Sequence, residues 1–184
     1  MIVKANVDKV RIWDGTTITE VDPLGALSTV GTVHHKVHEG NSYTFFHYSA
    51  DVDIASPLNV VMSIGSEEAH MTTEVKTDGG GEYAIYESPT ISVSGTPITV
   101  FNRNRTSANT AKTTVTYGDT IGATGTKIAS SYIFAVGGGV TRVGGEVRTD
   151  TERILAPNIK YLFRFTPSAD NTKVNVRTSF YEVS

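Results

Sequence analysis

The residues best suited to metal or acid–base chemistry lie in two histidine-bearing segments. In Val33-His34-His35-Lys36-Val37-His38-Glu39 the His-x-x-x-His pair His34 and His38 would share one face of a helix and could bind zinc. The surrounding residues read as extended, however. On a strand His34, Lys36 and His38 point to one side, and a lysine between two imidazoles is a poor site for a cation, so the segment is expected to be a solvated strand without metal. Glu67, Glu68 and His70 form a second cluster, expected to be a polar turn leading into a strand. Gly137-Gly138-Gly139-Val140-Thr141-Arg142-Val143-Gly144-Gly145 is glycine-rich but lacks the flanking strand and helix start of a dinucleotide site, and reads as a flexible hairpin tip. No nucleophile elbow, Walker loop or His-Glu-x-x-His stretch occurs. Paired carboxylates for glycoside hydrolysis depend on three-dimensional spacing, and with 19 acidic residues some proximity is expected by chance. The chain is therefore expected to be non-enzymatic, with no catalytic residue, cofactor or metal.

Three residues are better candidates for contacts than for catalysis. At strand spacing in Phe101-Asn102-Arg103-Asn104-Arg105, Arg103 and Arg105 would project from one side and could meet carboxylates of this chain, of a neighbouring subunit, or a bound anion. Salt bridging within or between subunits is the preferred reading. Trp13, the only tryptophan, is the third candidate for an intersubunit or partner contact.

The elements that must position these residues are strands. The 184 residues include 21 Val, 13 Ile and 26 Thr against 5 Leu, and branching at Cβ suits a pleated surface better than a helix. No window carries apolar residues at i, i+3, i+4 and i+7 over three turns, so helix is expected to be minor. Nine runs read as strands: 42–49, 59–64, 70–77, 83–87, 97–102, 111–117, 127–136, 158–165 and 172–181. Tyr161, Phe163 and Phe165 oppose Lys160 and Arg164, and Val174, Val176, Thr178 and Phe180 oppose Lys173, Asn175 and Arg177. Such alternation predicts antiparallel sheets with one buried face. Asp170-Asn171 predicts a hairpin between the last two runs, and Asp78-Gly79-Gly80-Gly81 another between 70–77 and 83–87. Residues 1–32 hold short extended pieces broken by Asp14-Gly15 and Asp22-Pro23 and read as an arm or edge segment that docks on a neighbour, or equally as an ordinary first hairpin of the same domain. The remainder, 33–184, reads as a β-sandwich.

The formal net charge of −3 and the absence of cysteine give no electrostatic drive toward nucleic acid or an anionic membrane, and no disulfide framework. A basic start followed by an apolar stretch is missing, as is any run of about 18 apolar residues, so a soluble, unprocessed protein is expected.

Taken together, His38-Glu39-Gly40-Asn41-Ser42-Tyr43-Thr44, Phe101-Asn102-Arg103-Asn104-Arg105 and the β-rich tail resemble small capsid decoration, or cement, proteins of tailed bacteriophages over residues 33–184. The resemblance implies a jelly-roll-like sandwich made in the host cytoplasm; residues 1–32, which fit it loosely, would be an extended N-terminal arm that adds to an edge strand of the capsid lattice. It also implies assembly as a homodimer or homotrimer on the virion's capsid surface, binding and stabilising the major capsid protein. No catalytic residue travels with it. A receptor- or glycan-binding module of a tail or head fibre is the alternative; it needs surface aromatics around a shallow cleft, for which Tyr48, Tyr83, Tyr86 and Tyr117 are available, although most are expected in the core.

Overall fold

Thr32–Glu39 forms a helix, α1, in place of the expected strand. What stops it is visible in the chain. Gly40 adopts φ +76°, and Gly40 N–H donates to the Val37 carbonyl while Asn41 N–H donates to that of Lys36, each at 3.0 Å. That is a Schellman closure, with glycine at the left-handed position and Lys36 and His38 in the last turn, where cations favour the helix dipole. The computed structural model describes residues 11–13, 18–20, 32–134, 146–148 and 152–183. Two units divide the chain, Met1–His35 and Lys36–Ser184. In the first, β1 (Arg11–Trp13) pairs antiparallel with β2 (Ile18–Glu20), Trp13 opposite Ile18.

The second unit is built from strands β3 (Ser42–Val52), β4 (Leu58–Ser63), β5 (Glu68–Thr77), β6 (Gly81–Glu87), β7 (Thr90–Val93), β8 (Thr96–Ile98) and β9 (Phe101–Asn102). They continue as β10 (Thr114–Tyr117), β11 (Thr120–Ala123), β12 (Thr126–Ile133), β13 (Glu146–Arg148), β14 (Arg153–Leu155), β15 (Lys160–Pro167) and β16 (Thr172–Val183). One sheet has the order β12-β6-β15-β4-β10-β8, and the other β13-β5-β16-β3-β9 with β14 also on β5. β7 and β11 form a separate ribbon, and every pairing among the described residues is antiparallel. The architecture is an all-β sandwich. No described helix is long and apolar enough to cross a membrane.

Both expected hairpins are corrected by this topology. β5 and β6 lie in different sheets, as do β15 and β16, so Asp78–Gly80 and the turn at Asp170-Asn171 carry the chain from one layer to the other. The two crossings brace each other. Ser168 N–H donates to the Gly80 carbonyl at 2.9 Å, and Lys173 N–H donates to the Asp78 carboxylate at 2.7 Å. Gly81 is required for space: a Cβ there would lie 2.6 Å from the Phe165 ring and 2.5 Å from the Thr166 carbonyl. The run 97–102 also divides, because β8 ends one sheet and β9 ends the other. The Gly137–Gly145 reading lies outside the described residues.

Alternation dictates what fills the space between layers. Tyr161, Phe163 and Phe165 of one sheet and Val174, Val176 and Phe180 of the other are all buried, with Phe45, Met62, Met71 and Ile85 in the same cluster. The Tyr161 hydroxyl also holds an adjoining turn, accepting from Ala156 N–H at 3.0 Å and donating to Glu87 at 2.9 Å. Phe163→Ala is expected to cost about 3–5 kcal/mol by leaving a cavity, and Lys160→Ala on the outer face no more than about 0.5 kcal/mol. Urea denaturation checks both, and comparable losses would contradict the assigned facing.

His47 of β3 crosses the layers to Tyr117 of β10, ring centroids 4.1 Å apart, and burial holds its imidazole below its ordinary range. A histidine that resists protonation only in the folded chain binds fewer protons there than when unfolded. Its contribution is therefore full above the unfolded value near 6.5 and is lost as pH falls from there through the lower folded value. Between pH 7 and pH 5 the wild-type melting temperature is expected to fall more steeply than that of His47→Gln; equal slopes would contradict this assignment.

Candidate functional site

On β3 the alternation that sends Tyr43 and Phe45 inward leaves Thr44, Phe46 and Tyr48 on the outer face. Phe46 is 58% and Tyr48 56% exposed, unusual for bulky rings beside each other on a sandwich exterior. β9 brings a third ring alongside, since Phe101 sits opposite Thr44 and stacks on Phe46 at 6.0 Å with 10° between planes. The Arg105 guanidinium lies 5.9 Å from the Phe101 ring centre, a cation–π distance.

Across β3 the face becomes polar. Arg177 and Asn175 of β16 stand opposite Phe46 and Tyr48, and Glu74 and Lys76 of β5 stand opposite Arg177 and Asn175. Lys76 and Glu74 form an ion pair at 2.8 Å. Thr44, Phe46, Glu74, Lys76, Asn175 and Arg177 line a shallow cleft of about 380 Å³. It has an aromatic wall on one side and charges on the other.

The loop after β9 is set by its asparagines. Asn102 Oδ1 accepts from Asn104 N–H at 2.8 Å, and Asn104 Oδ1 from Thr106 N–H at 3.2 Å, two side-chain-closed turns in succession. Asn102 Nδ2 reaches the Gly40 carbonyl at 2.8 Å and Asn104 Nδ2 the His38 carbonyl at 3.2 Å, which fastens the loop to the end of α1. Arg103 and Arg105 accordingly sit in a turn rather than at strand spacing, a correction to the sequence reading. Arg103 points back to Ser42 Oγ at 3.3 Å, whereas Arg105 covers Phe101. Neither has an ion pair with a carboxylate among the described residues. Trp13 ends β1 in the other unit, and its side chain lies outside the described part.

Compared with known proteins, the chain matches no family model, no curated protein and no solved structure.

The remaining chemistry-bearing groups have structural partners. α1 places His34 and His38 one turn apart, yet no group of three His, Cys, Asp or Glu gathers as metal ligands among the described residues. His70 stacks on Tyr181 at 4.7 Å, accepts or donates at its hydroxyl at 3.0 Å, and meets Glu68 at 3.3 Å. Burial, with Glu152 and Glu68 nearby, pushes the Tyr181 hydroxyl up to about 12, so it remains protonated. Glu67 pairs with Lys112. Two buried carboxylates serve the backbone. Glu182 accepts from Lys112 and Thr113 N–H at 3.1 and 2.8 Å, and Asp119 from Gly95 N–H at 2.9 Å and Thr116 Oγ1 at 2.7 Å. Of the four tyrosines weighed for a surface cluster, Tyr48 is exposed, Tyr83 is in the core, and Tyr86 and Tyr117 are half-buried.

Phe46 and Phe101, the rings that make the surface, were not among the sequence candidates. The signal for Phe46 was available: with Tyr43 and Phe45 inward, Phe46 must face out. Gly40→Ala is expected to cost about 1–3 kcal/mol, because alanine is strained at that φ and its Cβ would collide with Ser107 of the loop. A thermal melt within about 0.5 kcal/mol of wild type would show that the loop does not depend on this approach.

Proposed function

We propose that this protein is a non-enzymatic structural module of a tailed-phage virion that seats the outer face of β3, β9 and β16 on the major capsid protein and stabilises the shell. The observation that carries the reading is the exposed Phe46–Phe101 stack with Arg105 over it. Rigid aromatics and arginine are the residues that anchor protein interfaces, since they bury much surface at small conformational cost. Many copies on a lattice would turn modest single contacts into firm attachment.

Connectivity supports reading the sandwich as a jelly roll. β3 pairs with β16 and β16 with β5, while β4 pairs with β15 and β15 with β6. Beyond these, β6 pairs with β12, and β5 with β13 and β14. The chain thus winds between layers strand by strand, with its last strands returning between its first, the wrapped order of a double Greek key. Residues 88–125, which hold β7 to β11, are then an insertion that supplies Phe101 and Arg105 to the face.

The second reading, a glycan-binding module, is favoured by the cleft itself, where Phe46 faces Asn175, Arg177 and Glu74; an aromatic wall with a few polar groups is what a sugar ring requires. Co-sedimentation decides between them. The protein is mixed with capsids lacking it and, separately, with host cells. Wild type is expected in the capsid pellet, and Phe46→Ala/Phe101→Ala is expected to bind at least about tenfold more weakly, a loss of about 1.4 kcal/mol, with an unchanged melting temperature. Recovery with cells alone would replace the capsid reading by the glycan one, and unaltered capsid binding by the double variant would remove this face from the interface.

A further inference from the structure

The stacked rings of Phe46 and Phe101 stand between two depressions. Phe46 lines the cleft of about 380 Å³ that also holds Asn175, Arg177 and Glu74. Phe101 lines a second one, of about 320 Å³, together with Arg105, Val100, Ala108 and Ala111. Val100 and Ala111 pack against the core, so the second depression has an apolar, anchored floor.

Each depression thus combines one ring of the pair with one arginine. Arg105 and Arg177 are both exposed, and neither has an ion pair with a carboxylate among the described residues. Glu74, which stands opposite Arg177 in register, is held by Lys76 at 2.8 Å. The face therefore carries a surplus of positive charge on a chain whose formal net charge is −3.

We propose that this face takes an acidic, extended segment of its partner protein, with one carboxylate on Arg105, another on Arg177, and apolar side chains against the two rings. The inference rests on the reading of this face as the capsid-binding surface and adds the chemistry of what it binds. A guanidinium receives a carboxylate through two parallel N–H donations. Such a pair is weak in open solvent, but a docked segment flanked by aromatic rings excludes water from it. Two separated arginines make no continuous track for a phosphate backbone, and the negative charge of the rest of the chain repels a nucleic acid that extends beyond the face. A short carboxylate-bearing segment meets neither obstacle.

Fluorescence anisotropy on the full chain tests this, with a labelled random copolymer of glutamate and tyrosine as the probe and labelled oligo(dT) as the comparison polyanion. Wild type is expected to bind the copolymer, more weakly as salt rises. Arg105→Gln/Arg177→Gln keeps both rings and is expected to bind it at least about tenfold more weakly, with an unchanged melting temperature. No binding of the copolymer by wild type, equal affinity of wild type and the arginine variant, or tighter binding of oligo(dT) than of the copolymer would overturn the proposal. Co-sedimentation of the same proteins with capsids keeps the two readings apart. Copolymer binding without capsid binding would remove the capsid assignment and leave the acidic-segment site, and capsid binding without copolymer binding would do the reverse.

Discussion

β15 and β16 follow each other in the chain yet occupy interior positions of opposite sheets, and the meeting of their inward faces is the contact on which the rest depends. Tyr161, Phe163 and Phe165 press toward Val174, Val176 and Phe180 across the layers. Each of these two strands is flanked on both sides, by β4 and β6 in one sheet and by β3 and β5 in the other. Four neighbours are thereby fixed in position and register, because a slip by one residue would turn every buried side chain outward. The outer positions follow from the inner ones: Phe46 is exposed because Phe45 is buried, and Arg177 is exposed because Val176 is buried.

That dependence explains what the sequence disclosed. Period-two alternation reports which side of a strand is apolar, and it located the buried residues of β15 and β16 correctly. It carries no information on which strand lies alongside. Asp170-Asn171 and Asp78-Gly79-Gly80 provide tight turns, Asn171 at φ +57°, but the same residues serve a crossing between layers as well as a hairpin within one. Adjacent runs were therefore paired where the fold separates them. Strands without a buried face left no pattern at all; β7 and β11 are largely exposed and went unrecognised.

The interaction surface was legible only in fragments. The run Phe101 to Arg105 stood out, but the arginines drew attention that belonged to Phe101. Asn102 and Asn104 each close a turn through their own side chains, and an Asn-x-Asn-x-Thr spacing is a sufficient reason to expect a turn there. α1 spans eight residues, too short for helical periodicity to emerge, and its clearest mark was Gly40 after Lys36 and His38. Long-range pairing then joins these local features: the asparagine loop is fastened to the end of α1, which presents Phe101 beside Phe46.

An aromatic and cationic face on a rigid two-layer body is the central element of the functional account, and hydrogen exchange tests it most directly. Amide exchange would be compared for the free protein and for the protein bound to capsids. The account predicts slowed exchange in β3 and in residues 101–109, with β6, β15 and β4 of the other sheet unchanged by binding. Exchange in β3 and that loop as fast as in the free protein, with protection confined to the opposite sheet, would contradict it.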